Sequence, residues 1–133
     1  MRVLALDYGS ARCGCALSDP TGTIVTPIAI VTRPASRRGL AQLTRLVQER
    51  EVERVIVGLP LSLRGEDTQQ TSETRVFAQT LSSRLGERVP VELYDERFTT
   101  RIAAQVERPS TSEDSRAAAV LLEDWLARLY PRG

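Results

Sequence analysis

A chain of 133 residues is the size of one domain, long enough to bury roughly 70% of the surface its unfolded form exposes. Apolar residues make up 41% and charged residues 26%, an ordinary globular mixture, and a net charge of +1 gives no bulk attraction to nucleic acid. His, Lys and Asn are absent and all 18 basic residues are Arg, which excludes Ser-His-Asp triads, Cys-His pairs, His-rich zinc sites, Lys Schiff bases and Walker phosphate loops.

Arg2 to Leu6 is an apolar run that reads as a buried strand leading into a turn at Asp7-Tyr8-Gly9. Arg12 to Ser18 alternates as a second strand, Asp19-Pro20-Thr21-Gly22 turns, and Thr23 to Val31 is a β-branched third strand. Short links between the three predict an antiparallel meander. Ser36 then caps a helix with Leu40, Leu43, Leu46 and Val47 on one face. Val52 to Val57 is a strand stopped by Gly58-Leu59-Pro60. The polar stretch Leu61 to Thr71 reads as a mobile loop running into a helix whose apolar stripe is Val76, Phe77, Leu81 and Leu85, ended by Gly86. Val89 to Tyr94 is a strand, Thr99 to Val106 a short helix, Arg108 to Ser112 a loop, and Glu113 to Leu129 a long final helix.

This order predicts an α/β fold, a five-stranded mixed sheet with helices on both faces: a three-strand antiparallel meander plus two parallel strands. One domain over 1–133 is the simplest organisation. Cys13 and Cys15, two apart in a strand, face one side, where a disulfide would be strained; buried packing and a reducing cytoplasm are expected. The N-terminus meets Asp7 too early for a signal peptide, and the longest apolar run, Ala117 to Leu122, is too short for a membrane span.

Without imidazole or amine, the remaining chemistry is that of 17 carboxylates, two thiols, hydroxyls and Arg. Three acids stand out by position. Asp7 ends the first strand, Glu96 closely follows the Val89–Tyr94 strand, and Asp114 opens the last helix. Strand C-termini are where open α/β sheets collect ligands. Carboxylates brought together repel and raise each other's pKa unless a cation lies between them, and oxygen-only donors favour Mg²⁺ or Mn²⁺. Two such ions can clamp a phosphodiester with no His involved. Each acid alone also suits a structural role: Asp7 as a turn cap, Glu96 paired with Arg97 or Arg101, Asp114 as an N-cap or first-turn acid. Gly9 and Gly14 permit a tight hairpin whose backbone approaches a ligand closely. Arg12, Arg64 and Arg97 lie near the same edge, with Tyr8 as its one aromatic, and guanidinium fits phosphate and stacks on exposed bases.

Four motifs in order resemble the YqgF/RuvX family over nearly the whole chain. They are Asp7-Tyr8-Gly9-Ser10-Ala11-Arg12-Cys13-Gly14; Gly58-Leu59-Pro60-Leu61 with Gly65; Asp95-Glu96-Arg97 with Thr99-Thr100; and Asp114-Ser115 with Ala117-Ala118 and Leu121-Leu122-Glu123. The resemblance implies a ribonuclease H-like fold related to the RuvC resolvases and a nuclease maturing the 5′ end of pre-16S rRNA in ribosome biogenesis. The family carries an earlier attribution to Holliday junction resolution. It implies Asp7, Glu96 and Asp114 as catalytic metal-site acids holding Mg²⁺ or Mn²⁺, and Arg12 and Arg97 facing substrate; Tyr8, Gly9 and Arg64 are expected at the substrate from their position at the same edge. It implies nucleic acid as partner, precursor rRNA or branched DNA, with no membrane, in the cytoplasm, as a monomer or homodimer. Ser10 stands where the family usually has Thr, and Ser110 to Glu113 holds no basic residue where the family often has Lys. Two other readings remain at this point. A phosphotransferase of the actin-like superfold shares the Asp-x-Gly turn but needs a second lobe that this length does not provide, and a non-catalytic interaction module suits the near-neutral charge.

Overall fold

β1 (Val3–Tyr8), β2 (Arg12–Ser18) and β3 (Val25–Thr32) form the antiparallel meander expected from the sequence. The chain continues through α1 (Arg37–Glu49), β4 (Arg54–Leu59), α2 (Gln69–Leu85), β5 (Val91–Asp95), a 3₁₀ turn at Glu96–Phe98 and α3 (Glu113–Leu129). This computed structural model describes residues 1–98 and 113–129, so the short helix expected over Thr99–Val106 and the loop Arg108–Ser112 lie outside the described residues. Among the described residues the sheet has five strands in the order β3-β2-β1-β4-β5, with β4 parallel to both β1 and β5.

β1 is central, which explains its unbroken apolar run: Val3, Leu4, Ala5 and Leu6 are all fully buried because both sheet faces are covered. Alternation sends Leu4, Leu6 and Tyr8 to one face and Val3 and Ala5 to the other. The first face packs on α1 and α2 through Leu40, Leu43, Val47, Phe77 and Leu81. Cys13 and Cys15 are buried free thiols in that same core, as expected. The second face is covered by α3, whose Ala118, Leu121, Leu122 and Trp125 pack with Val3, Ala5, Ala16 and Ile56.

Local chemistry sets the helix ends. Ser36 Oγ accepts the Gly39 N–H at 3.0 Å and starts α1. Thr68 and Thr71 cap α2 reciprocally, each side chain bonding the other's backbone N–H, and Thr71 Oγ also donates to the Pro60 carbonyl. The stripe of α2 differs from the sequence expectation. Val76 is 64% exposed, and the inward positions are Thr71, Thr74, Phe77, Ala78 and Leu81. Helical spacing from Phe77 reaches Thr74 and Leu81, and two threonines with satisfied hydroxyls take places an apolar count gives to Val76.

α3 is fixed to the sheet at both ends. Near its start Ser115 Oγ donates to the Ala29 carbonyl of β3 at 2.9 Å. Near its end the Trp125 indole N–H donates to Glu92 at 3.3 Å and the Tyr94 hydroxyl donates to Asp124, both over β5. Among the described residues no helix is long and apolar enough to cross a membrane.

Candidate active site

Asp7 lies one residue before the end of β1, which runs two residues further than the apolar pattern indicates. Its parity puts it on the α3 face with Val3 and Ala5. Both of its neighbours across the sheet are glycines. Gly14 of β2 is its register partner, and Gly58 of β4 is the next step after the pair Leu6 and Val57. The half-buried carboxylate therefore stands on a floor without side chains.

Glu96 enters that space from β5. It begins the 3₁₀ turn, and its side chain folds back across β4 so that Cγ and Cδ lie 2.8 and 2.9 Å from where a Cβ on Gly58 would stand. There it is hydrogen-bonded to Asp7. Burial first, then the charge of Asp7, that hydrogen bond and the charge of Asp95 push the Glu96 carboxyl up to about 8. Two acids so placed hold a proton between them at neutral pH, or exchange it for a cation.

The structure does not bring every expected residue to this pair. Tyr8, next in the strand, faces the opposite side of the sheet. It is 9% exposed and stacks on Phe77 with ring centroids 4.3 Å apart. It lines a groove of about 400 Å³ with Leu40, Glu73, Val76 and Phe77, away from the carboxylates. Gly9 closes the β1–β2 hairpin by donating its N–H to the Arg12 carbonyl at 2.9 Å, and Arg12 is exposed at the start of β2. Asp114 falls in the first turn of α3, the turn that Ser115 pins to β3, but its side chain lies outside the described part of the structure. Arg64 is exposed in the loop that follows Gly58-Leu59-Pro60.

Arg97 is turned to Asp95, a residue quoted in the sequence motif without a role. Asp95 accepts the Arg97 backbone N–H at 2.9 Å and the guanidinium through Nε at 2.9 Å and Nη2 at 2.7 Å. That contact holds the Asp95 carboxyl below its ordinary value. An acid two residues before an Arg, across the end of a strand, is the signal that could have indicated the pair.

The donor set suits a hard divalent cation. Asp7 and Glu96 offer only oxygen, sit too close to ionise together without a counter-charge, and meet because Gly58 has no side chain to keep Glu96 away. Among the described residues no three His, Cys, Asp or Glu side chains gather as a metal-binding group, and the side chain of Asp114, the third acid expected from the sequence, lies outside them.

Solved structures share this fold, and relatives share the sequence. Thermus thermophilus RuvC in complex with a Holliday junction superposes with a TM-score of 0.65 at 16% identity, covering 98% of this chain and 97% of that one. The Fowlpox virus resolvase in its junction complex gives 0.63 at 12% identity, covering 98% and 99%. The fold is thus that of the RuvC-like, ribonuclease H-fold resolvases. A relative from Chloroflexus aurantiacus, named "Putative pre-16S rRNA nuclease", is 43% identical over 132 residues, covering 93% of this chain and 85% of its own. Another of that name, from Maridesulfovibrio salexigens, is 36% identical over 137 residues, covering 96% and 99%. The family model RuvX, described as Holliday junction resolvase, matches residues 1–128, and the chain belongs to the RuvX family, one of nucleic-acid hydrolases.

Proposed function

We propose that this chain is a metal-dependent phosphodiester hydrolase that matures the 5′ end of 16S rRNA from its precursor during ribosome biogenesis. The observation that carries the reading is the Asp7–Glu96 pair, half-buried together over Gly58 at the C-terminal end of the parallel strands of a resolvase fold. The relatives named for pre-16S rRNA supply the substrate. The domain is taken as 1–133, acting in the cytoplasm, where ribosomal precursors are made, as a monomer or homodimer.

Asp7 and Glu96, joined by Asp114, hold Mg²⁺ or Mn²⁺. A bound divalent cation supplies Lewis acidity where negative charge grows on the scissile phosphate. The chain's own part is to present ionised oxygens at a fixed spacing, and Gly58 does this by letting Glu96 lie flat. Burial and the charge of Asp7 hold the Glu96 carboxyl up at about 8 in the free pair, so Glu96 would hold the cation in its deprotonated form. The exposed Arg12 and Arg64 at the same edge provide positive charge for the RNA backbone, and the Gly9 turn keeps the hairpin low beside it.

Incubation of the purified protein with precursor 16S rRNA, an unstructured RNA and a four-way DNA junction, with Mg²⁺, Mn²⁺ or a chelator, tests the reading. Cation-dependent cutting of the precursor at the mature 5′ end is expected. Cutting of the junction alone would make it a resolvase, and no cutting of any substrate would make it a binding module.

A further inference from the structure

Arg97 adjoins Glu96 and is the obvious arginine to hold a substrate phosphate, yet each of its three guanidinium nitrogens donates a hydrogen bond within the protein. Nε and Nη2 form the parallel fork that fits a phosphate or carboxylate, and both go to Asp95. Nη1 donates to the Leu63 carbonyl at 3.4 Å and lies 3.0 Å from where a Cβ on Gly65 would stand. Gly65 has a φ of +81°, a conformation that favours glycine and lets the turn lie against the guanidinium.

The turn itself is closed by its own hydrogen bonds. Gly65 N–H donates to the Ser62 carbonyl at 2.8 Å, Ser62 N–H to the Glu66 carbonyl at 2.9 Å, and Glu66 N–H to Ser62 Oγ at 3.0 Å. Its tip carries Arg64 and Leu63, the latter 94% exposed. Within the segment Leu61 to Thr71, residues 62–66 thus form a hydrogen-bonded turn docked on one side chain. At the other end of the contact, Asp95 also accepts the Arg97 N–H and so fixes the 3₁₀ turn that presents Glu96.

We infer that Asp95 and Arg97 form a latch that docks the Ser62–Gly65 turn beside the Asp7–Glu96 pair, and that Arg64 at the tip, not Arg97, meets the substrate backbone. Asp95 and Arg97 are positioning residues. The second half of the inference rests on the nucleic-acid reading above, while the latch does not.

Counter-ion release separates the two roles. Each phosphate contact contributes close to one unit to the slope of log affinity against log salt. Binding of a fluorescein-labelled RNA spanning the 5′ end of 16S rRNA is measured by anisotropy across a salt series for wild type, Arg64→Gln, Arg97→Gln, Arg97→Lys and Asp95→Asn. Amide exchange at Gly65 and Glu66 is followed in the free proteins. The latch predicts faster exchange in the Asp95 and both Arg97 variants, since Lys lacks the fork to hold Asp95 and Leu63 together. It predicts a slope lower by about one in Arg64→Gln and unchanged in Arg97→Gln. For Asp95→Asn and Arg97→Gln it predicts a fall in kcat with little change in KM. A slope that falls in Arg97→Gln, tighter RNA binding in Asp95→Asn, or wild-type exchange in Arg97→Lys would each overturn it. If wild type binds no RNA at any salt, the nucleic-acid reading fails, and exchange at Gly65 and Glu66 alone then decides the latch.

Discussion

The carboxyl group of Glu96 lies over Gly58, with Cγ and Cδ 2.8 and 2.9 Å from where a Cβ on that glycine would stand. Real Cβ contacts are not that short, so in Gly58→Ala something has to move, and the long Glu96 side chain moves more easily than the backbone of β4. Alanine is otherwise favoured over glycine inside a strand by roughly 0.5–1 kcal/mol. The variant is therefore expected to fold and to melt close to wild type, while cleavage falls by roughly 100-fold because a catalytic group is displaced by about an ångström. Thermal unfolding and a cleavage time course, run together, check the separation.

The proton shared by Asp7 and Glu96 gives a pH dependence of unusual sign. Glu96 titrates at about 8 in the folded protein and, like any exposed Glu, near 4.5 when unfolded. Between those values the folded state holds the extra proton. The stability that protonation gives is complete below the unfolded value and is lost as pH rises through the folded one, roughly 3–5 kcal/mol over the window. Chemical denaturation of the metal-free protein from pH 4.5 to 9 should show that decline. Addition of Mg²⁺ or Mn²⁺ at pH 7 should release about one proton, seen by calorimetry in buffers of different ionisation enthalpy. Proton release absent at pH 7 would mean that the cation binds elsewhere.

Tyr8 belongs to the core opposite the acids, stacked on Phe77. Tyr8→Ala should lose about 3 kcal/mol of stability through the cavity it leaves. Tyr8→Phe keeps the stack and should bind and cleave RNA like wild type. A base-stacking role for Tyr8 would instead show Tyr8→Ala weakening RNA affinity at temperatures where the variant is fully folded.

The order of strands and helices was legible in the sequence because β1 and β4 are continuous apolar runs and α1 has a single clean stripe. Asp7 and Glu96 were legible because an acid at the C-terminal end of a strand stands out once histidine and lysine are missing. Three things were not. Ending β1 at Leu6 made Asp7 and Tyr8 look like one turn serving one edge. Once β1 extends to Tyr8, strand parity must send them to opposite faces. The docking of Leu63 and Gly65 on Arg97 brings together residues more than 30 apart, which no local pattern reports, whereas the Asp95–Arg97 pair that holds Arg97 there is only two residues apart. The inward threonines of α2 were missed for a related reason, since Thr71 is buried by bonding Pro60 rather than by being apolar.

In the function proposed above, Asp7 and Glu96 act as one cation-holding centre. Asp7→Asn keeps the shape and removes one charge from a crowded pair, so the protein should fold and melt no lower than wild type at pH 7. With saturating Mn²⁺ and precursor 16S rRNA, single-turnover cleavage by this variant should fall by roughly 100-fold or more. A folded Asp7→Asn protein that cuts the precursor at the wild-type rate would contradict the claim.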